Sequence, residues 1–425
     1  MLELNRQLQR PDTVFPIDAV RSAFPALHAK DTGHSRIYLD GPGGTQVCAP
    51  SIAAMTAHFE RGTANSGGPF TTSRATDATT EAARAAMADL LGGAPDEIAF
   101  GPNMTSLTIA VARALAREWQ AGDELVVTRL DHDANVAPWL AVAADRGMKV
   151  RWIDFDPDSG RLDLDALPDM LNSRTRLVAV GHASNAIGTI NDVAKVVEIV
   201  RQSSGAIVFV DAVQSVPHIT VDVMALGCDL LVCSPYKFFG PHQGVLWGRR
   251  ALLEQLRPYK LRPSPDHPAA RRFETGTPSF EAQAGTAGAI GYLETLGGAL
   301  SPLANDRRGR LVETMQTCVA YETAIGERLL AGLATLSAIK LWGPTSMAGR
   351  VPTFAISIDG HDPHAVAAAL AAREIYAWAG HFYAVEVIER LGLTHCGGLL
   401  RLGLCHYNTA AEVDQTITAL AEIIG

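Results

Sequence analysis

Residues 207–244 read IVFVDAVQSVPHITVDVMALGCDLLVCSPYKFFGPHQG. Two apolar runs stand out, Ile207–Val210 and Leu230–Cys233. Both are short, aliphatic or β-branched, and uninterrupted, as strands of a sheet buried on both faces are. The first ends in Asp211; the second ends in Ser234 and, three residues later, Lys237. Open α/β sheets bind ligands just beyond the carboxyl ends of their strands. An acid and a lysine brought to one sheet edge point to pyridoxal phosphate: the lysine would form a Schiff base, and the aspartate would keep the pyridine nitrogen protonated. Taken alone, an Asp followed by a Lys is an ordinary surface pair. The neighbours strengthen the reading: Gln214 after Asp211, Ser234 and Tyr236 before Lys237, a tight Gly240–Pro241 turn, and a returning run Gly244–Trp247.

Asp211-x-x-Gln214, a helix and strand, Ser234-x-Tyr236-Lys237 and a glycine-rich loop together resemble the class V aminotransferase-like pyridoxal-phosphate enzymes, in particular their cysteine desulfurase and selenocysteine lyase branch. The resemblance runs from about Tyr38 to Asn408. It implies the fold type I architecture of pyridoxal-phosphate-dependent transferases. That is α/β, with a mainly parallel seven-stranded sheet in a large domain and a smaller C-terminal α/β domain. The boundaries expected are an arm and helix over 1–36 that pack with the small domain, a large domain over 37–300 and a small domain over 301–425.

Composition sets the outer limits. The 425 residues are 47% hydrophobic, enough for a large core. The net charge of −9 has no basic block, so nothing calls for nucleic acid or an anionic membrane surface as partner. No apolar run approaches the roughly 20 residues of a membrane span, and the N-terminus lacks a signal-peptide core. The six cysteines are scattered without a C-x-x-C pair, which leads us to expect a reduced, cytoplasmic protein without structural disulfides. His361 and His364 have a loose metal-like spacing but read as loop and helix-cap residues.

Further strands are expected at Ile98–Phe100, Glu124–Thr128, Lys149–Ile153 and Leu177–Gly181, and helices at Thr79–Leu91, Leu107–Trp119 and Val193–Gln202. Thr105 and Ser106 precede the second helix. Hydroxyls there are common caps, but a helix N-terminus also attracts anions, and the resemblance implies that both hold the cofactor phosphate. It also implies that His132 stacks on the pyridine ring and shuttles protons. Asn185, in Asn185-x-x-Gly188-Thr189, would bond the ring oxygen or the substrate carboxylate. Gln214 would donate to the ring hydroxyl oxygen, and Ser234 would join the cofactor contacts. Thr277, in Gly276-Thr277-Pro278, would reach the other subunit's phosphate, which implies a homodimer with shared sites; the same residues would also make a simple β-turn. Arg401 lies in an apolar strand, Leu400–Leu404, where an unpaired charge is costly. It matches the arginine that grips the substrate α-carboxylate as a fork.

The departures concern the reaction. Where many desulfurases read Arg-x-Gly-His-x-Cys-Ala, this chain reads Trp378-Ala379-Gly380-His381-Phe382-Tyr383-Ala384. A persulfide needs a thiolate, which Tyr383 lacks. Cys396 in a neighbouring loop is the candidate substitute, though it also reads as an ordinary loop thiol. The function expected is therefore Cβ elimination of the C–S or C–Se lyase type. It would run through a quinonoid on a small L-amino acid held by Arg401, with Lys237 and His132 moving protons and no protein persulfide. A class V aminotransferase or an amino-acid epimerase is the alternative. A catalytically reduced sulfur-trafficking or scaffold protein is another, against which the intact Lys237, Asp211, His132 and Arg401 speak.

Overall fold

The two runs that open the sequence reading lie side by side in the middle of a seven-stranded sheet. The computed structural model describes residues 15–29, 35–300 and 305–425. The sheet contains β1 (Ile98–Gly101), β2 (Glu124–Thr128), β3 (Lys149–Ile153), β4 (Thr175–Gly181), β5 (Ile207–Asp211), β6 (Leu230–Cys233) and β7 (Gly244–Gly248). Their order is β1-β7-β6-β5-β4-β2-β3. Strands β2 to β6 pair in parallel, and β7 runs antiparallel to both of its neighbours. The strand with the opposite direction is the one reached by the tight turn after Lys237; every other strand needs a longer crossover. Strands β1, β2, β4, β5 and β6 therefore end on one edge, and β7 begins there.

Burial explains the composition of these strands. Val208, Phe209, Val210, Leu231 and Val232 have no exposed surface. Burying one such side chain is worth about 1.5–3 kcal/mol, against about 1–2 kcal/mol for ordering the backbone of one residue. One core cluster lies on each face of the sheet. Phe209 and Val232 belong to one, and Val208, Val210 and Leu231 to the other, as period-two alternation requires. Gly244 opens β7 against the loop after β1; a Cβ there would lie 2.3 Å from the carbonyl carbon of Asn103.

The helix expected at Thr79–Leu91 begins earlier, at Thr71. Its first turns are polar and carry no apolar stripe, but side chains tie them to the preceding loop. Ser73 Oγ donates to the carbonyl of Asn65 at 2.6 Å, and Thr76 Oγ1 to that of Ala64 at 2.9 Å. The helix expected at Leu107–Trp119 runs Met104–Leu115, with Asn103 as its cap.

A second sheet joins β8 (Ile339–Trp342), β9 (Thr353–Ile358), β10 (Trp378–Gly380) and β11 (Leu399–Gly403) in the order β8-β9-β11-β10. The helices Arg307–Ala334 and Ala410–Ile424 pack with it. Residues on either side of position 37 also reach across the chain. Ile37–Tyr38 pairs with Ile375–Tyr376, and Asp40 bridges to Gly403. In the expected arm, residues 1–14 and 30–34 lie outside the described residues. Its helix, Ile17–Ser22, contributes Val20 to the main core, with Phe24 just beyond, while Arg21 pairs with Glu412 at 2.8 Å. Among the described residues no helix is long and apolar enough to cross a membrane, and no metal-ligating cluster is found.

Candidate active site

The carboxyl-end edge of the main sheet opens into a cavity of about 1340 Å³. Each strand end supplies one part of its wall. Thr105 follows β1, Asp131 and His132 follow β2, Asn185 follows β4, Asp211 closes β5, Tyr236 and Lys237 follow β6, and Arg401 enters from β11. Residues scattered from position 105 to 401 thus share one chamber.

Lys237 is buried, and its Nζ donates to the carbonyl oxygen of Pro42. Burial, then the charge of Arg401, bring its amine down to about 7, while Asp211 and Asp40 work the other way. The Lys237 ammonium lies 4.7 Å from the centroid of the Tyr236 ring, which stacks on His242. Burial raises the Asp211 carboxyl to about 6, against a hydrogen bond from the Val213 N–H to Oδ1 at 2.9 Å and the pull of Lys237.

His132 stands on a loop held by Asp131. One carboxylate oxygen of Asp131 accepts the Gly181 N–H at 2.9 Å, and the other accepts Asn135 Nδ2 at 2.7 Å. Nδ1 of His132 accepts the Ala134 N–H at 3.0 Å, which leaves the neutral ring its proton on Nε2. Burial, Lys237 and Arg401 lower its pKa to about 4, so the ring is neutral at pH 7.

Arg401 is buried, with Nη1 donating to the Asn185 carbonyl at 2.8 Å and its guanidinium 4.3 Å from the centroid of Phe382. Asn185 Nδ2 donates to the Phe382 carbonyl at 2.7 Å. Gln214 Nε2 donates to Pro42 O at 2.9 Å, so Pro42 joins Gln214 and Lys237.

The loop after β10 closes this side of the chamber. Phe382 and Tyr383 both have positive φ, 54° and 57°. Such backbone costs on the order of 1–3 kcal/mol per residue and persists only where its surroundings hold it. Here Asp133 N donates to Tyr383 O at 2.7 Å, Tyr383 N to His381 Nδ1 at 3.0 Å, and Ala384 N to His381 O at 2.7 Å. The Tyr383 ring stacks on His132, with centroids 5.5 Å apart and planes at 30°.

Two buried polar atoms of residues that line the chamber have no protein partner, Asn185 Oδ1 and Gln214 Oε1. Burying polar atoms unbonded is costly. A flat ring with a basic nitrogen, a hydroxyl and a phosphate would give such groups partners, so the residues present fit pyridoxal phosphate. Asp211, Lys237, His132, Asn185, Gln214 and Thr105 line the one cavity. Ser106 and Ser234 do not: the Ser106 N–H is taken by Asn103 Oδ1 at 2.8 Å, and Ser234 is buried beneath the edge. Thr277 is exposed, away from this cavity. No cysteine lines the chamber among the described residues; Cys396 is exposed beside it, and Cys48, Cys228, Cys233, Cys318 and Cys405 are buried.

Two participants escaped the sequence reading. Asp40 ends the run Ile37–Leu39 as Asp211 ends β5, so the same strand-end rule would have found it. It is half-buried, desolvation raises its carboxyl to about 6, and it feels Arg401 and Lys237. The Pro42 carbonyl carries no signal in residue type at all.

The aminotransferase class-V family model matches residues 37–416. An aminotransferase-like protein of Gibberella zeae is 32% identical over 420 residues, spanning 96% of this chain and 99% of that protein. A cysteine desulfurase of Serratia proteamaculans is 30% identical over 424 residues, spanning 96% and 98%. The solved apo structure of the cysteine desulfurase from Thermococcus onnurineus NA1 aligns with a TM-score of 0.86 at 27% identity, over 98% of this chain and 99% of that one.

Proposed function

The chain belongs to the class-V aminotransferase family, and from that premise we propose a pyridoxal-phosphate enzyme that breaks a bond at Cβ of an L-amino acid without a protein persulfide. The observation that carries this reading is the composition of the chamber: Lys237, Asp211, His132 and Arg401 line it together, and among the described residues no thiol does.

Pyridoxal phosphate, when bound, supplies an aldehyde for amine capture and a protonated ring that draws electrons from Cα. Asp211 is the group suited to hold the ring nitrogen. Thr105, at a helix start and in the chamber wall, suits the phosphate. Gln214 and Asn185 suit the ring oxygen. Arg401 binds the substrate carboxylate, which its buried guanidinium can take as charge-assisted hydrogen bonds. Lys237, poised near neutrality, takes the Cα proton. His132 keeps a proton on Nε2, facing the departing group. The small C-terminal unit, over 301–425, brings Arg401 to the large unit, over 37–300. We place Thr277 at the second chamber of a homodimer, a role its exposure permits.

A panel of L-amino acids tests the reading. Elimination releases ammonia and a keto acid from one substrate with no amino acceptor added. Dependence on an added keto acid would replace elimination with transamination; racemised substrate alone would mark an epimerase.

A further inference from the structure

The loop Trp378–Ala384 does more than lack a thiol. Trp378 lies directly opposite Arg401 in the β10–β11 ladder, so their side chains leave the same face as neighbours. The indole also covers the glycine loop: a Cβ on Gly43 would lie 2.6 Å from Trp378 Nε1. Phe382 lies against the guanidinium of Arg401, and Tyr383 against His132. Three aromatic residues in one short segment each touch a different part of the chamber. Two of them still keep much of their surface: Trp378 is 55% exposed and Tyr383 66%. Backbone hydrogen bonds from Asp133 and to His381 hold the loop in this form.

Resting on the proposed function, we infer that Trp378 and Tyr383 are specificity-determining residues, forming a side-chain subsite for L-amino acids with a planar aromatic side chain in place of the small one expected from the sequence. A substrate with its carboxylate on Arg401 and its amino group toward Lys237 turns its side chain to the remaining walls. Those include the two exposed rings and the apolar Ala137, Pro138, Ala141 and Ile388, with Arg113, Asp133 and Asp145 also in the wall. Large exposed aromatic rings beside an apolar wall favour another ring by area and by stacking geometry.

The test uses the enzyme loaded with pyridoxal phosphate. L-phenylalanine, L-tryptophan, L-alanine, L-cysteine and L-arginine are titrated in, and apparent Kd is read from the change in visible absorbance. The aromatic amino acids should bind at least about tenfold more tightly than alanine, a margin in line with aromatic pairing and burial. Tyr383→Ala and Trp378→Ala should each shrink that ratio several-fold; Tyr383→Phe, which keeps the ring, should preserve it. Tighter binding of alanine, cysteine or arginine, or a ratio untouched by both alanine variants, would overturn the subsite and leave the proposed function standing. Protein that takes up no cofactor under any condition would overturn both.

Discussion

Arg401 Nη1 donates to the backbone carbonyl of Asn185 at 2.8 Å, joining the last strand of the second sheet to the loop that ends β4. The carboxylate clamp we propose is thereby positioned by the large sheet although it belongs to the small one. Buried charge-assisted hydrogen bonds contribute roughly 1.5–3 kcal/mol each. Arg401→Ala should therefore lower kcat/KM about 100-fold, mainly through KM, while the visible absorbance of the lysine-bound cofactor persists. Unchanged kinetics would remove Arg401 from carboxylate binding.

The same arginine sets the behaviour of Lys237. Burial and the Arg401 charge bring the Lys237 amine down to about 7. Only the neutral amine attacks an aldehyde, and its fraction grows as pH rises. Cofactor capture by apoprotein should thus accelerate with pH through about 7 and level off above it. Arg401→Ala removes a positive charge and should move that midpoint upward. Stopped-flow absorbance after mixing with pyridoxal phosphate measures both curves. A wild-type midpoint near the ordinary lysine value would show that the amine is not desolvated.

Gly403 packs against the ring of Pro42. A Cβ at Gly403 would lie 1.9 Å from Cδ of Pro42, whose oxygen receives Lys237 and Gln214. Gly403→Ala must push Pro42 away, at about 1–3 kcal/mol of overpacking. Equilibrium dialysis should find weaker cofactor binding, by about tenfold, with every charged group of the chamber intact. Wild-type affinity in a folded Gly403→Ala protein would mean that Pro42 does not shape the cofactor pocket.

Much of this arrangement was legible in the sequence because it depends on strand ends. Seven apolar runs, from Ile98 to Trp247, became the seven strands of the main sheet, and the residues after them fell on one edge since all but β7 point the same way. Asp211 and Lys237 were located by that rule, and His132 by the family resemblance; all three line the chamber. What escaped rests on tertiary contacts. The polar first turns of the helix from Thr71 are held by hydrogen bonds to a loop and show no periodicity. The hold of Pro42 on Lys237 uses a backbone atom, and the positive φ of Phe382 and Tyr383 depends on partners at Asp133 and Asn185.

Cys396 offers a direct check on the absence of a persulfide. It is exposed, and Thr394 and Gly397 beside it line the chamber although it does not. Cys396→Ser should retain wild-type turnover. Mass spectrometry of wild-type enzyme after incubation with L-cysteine should find no sulfur added at this residue. A dead Cys396→Ser variant, or a persulfide on its peptide, would restore a desulfurase-type mechanism.

The last expectation concerns stability and contrasts two ion pairs. His218 Nδ1 and Glu322 lie 3.0 Å apart, both 2% exposed. Arg328 and Asp414 make a two-pronged pair at 2.5 and 2.7 Å, both more than half exposed. Distance alone would rank the second higher. Desolvation reverses the order: removing one member of a buried pair strands the other without water, at about 3–5 kcal/mol, whereas an exposed pair trades its bond for hydration. Burial also raises the Glu322 carboxyl, and the neighbouring His218 works the other way. Glu322→Ala should bring the urea midpoint down strongly, and Arg328→Ala should leave it nearly unchanged. The helix Arg307–Ala334 carries both Glu322 and Arg328, so propensity and position differ little between the two sites. Equal effects from the two substitutions would show that burial is not what distinguishes them.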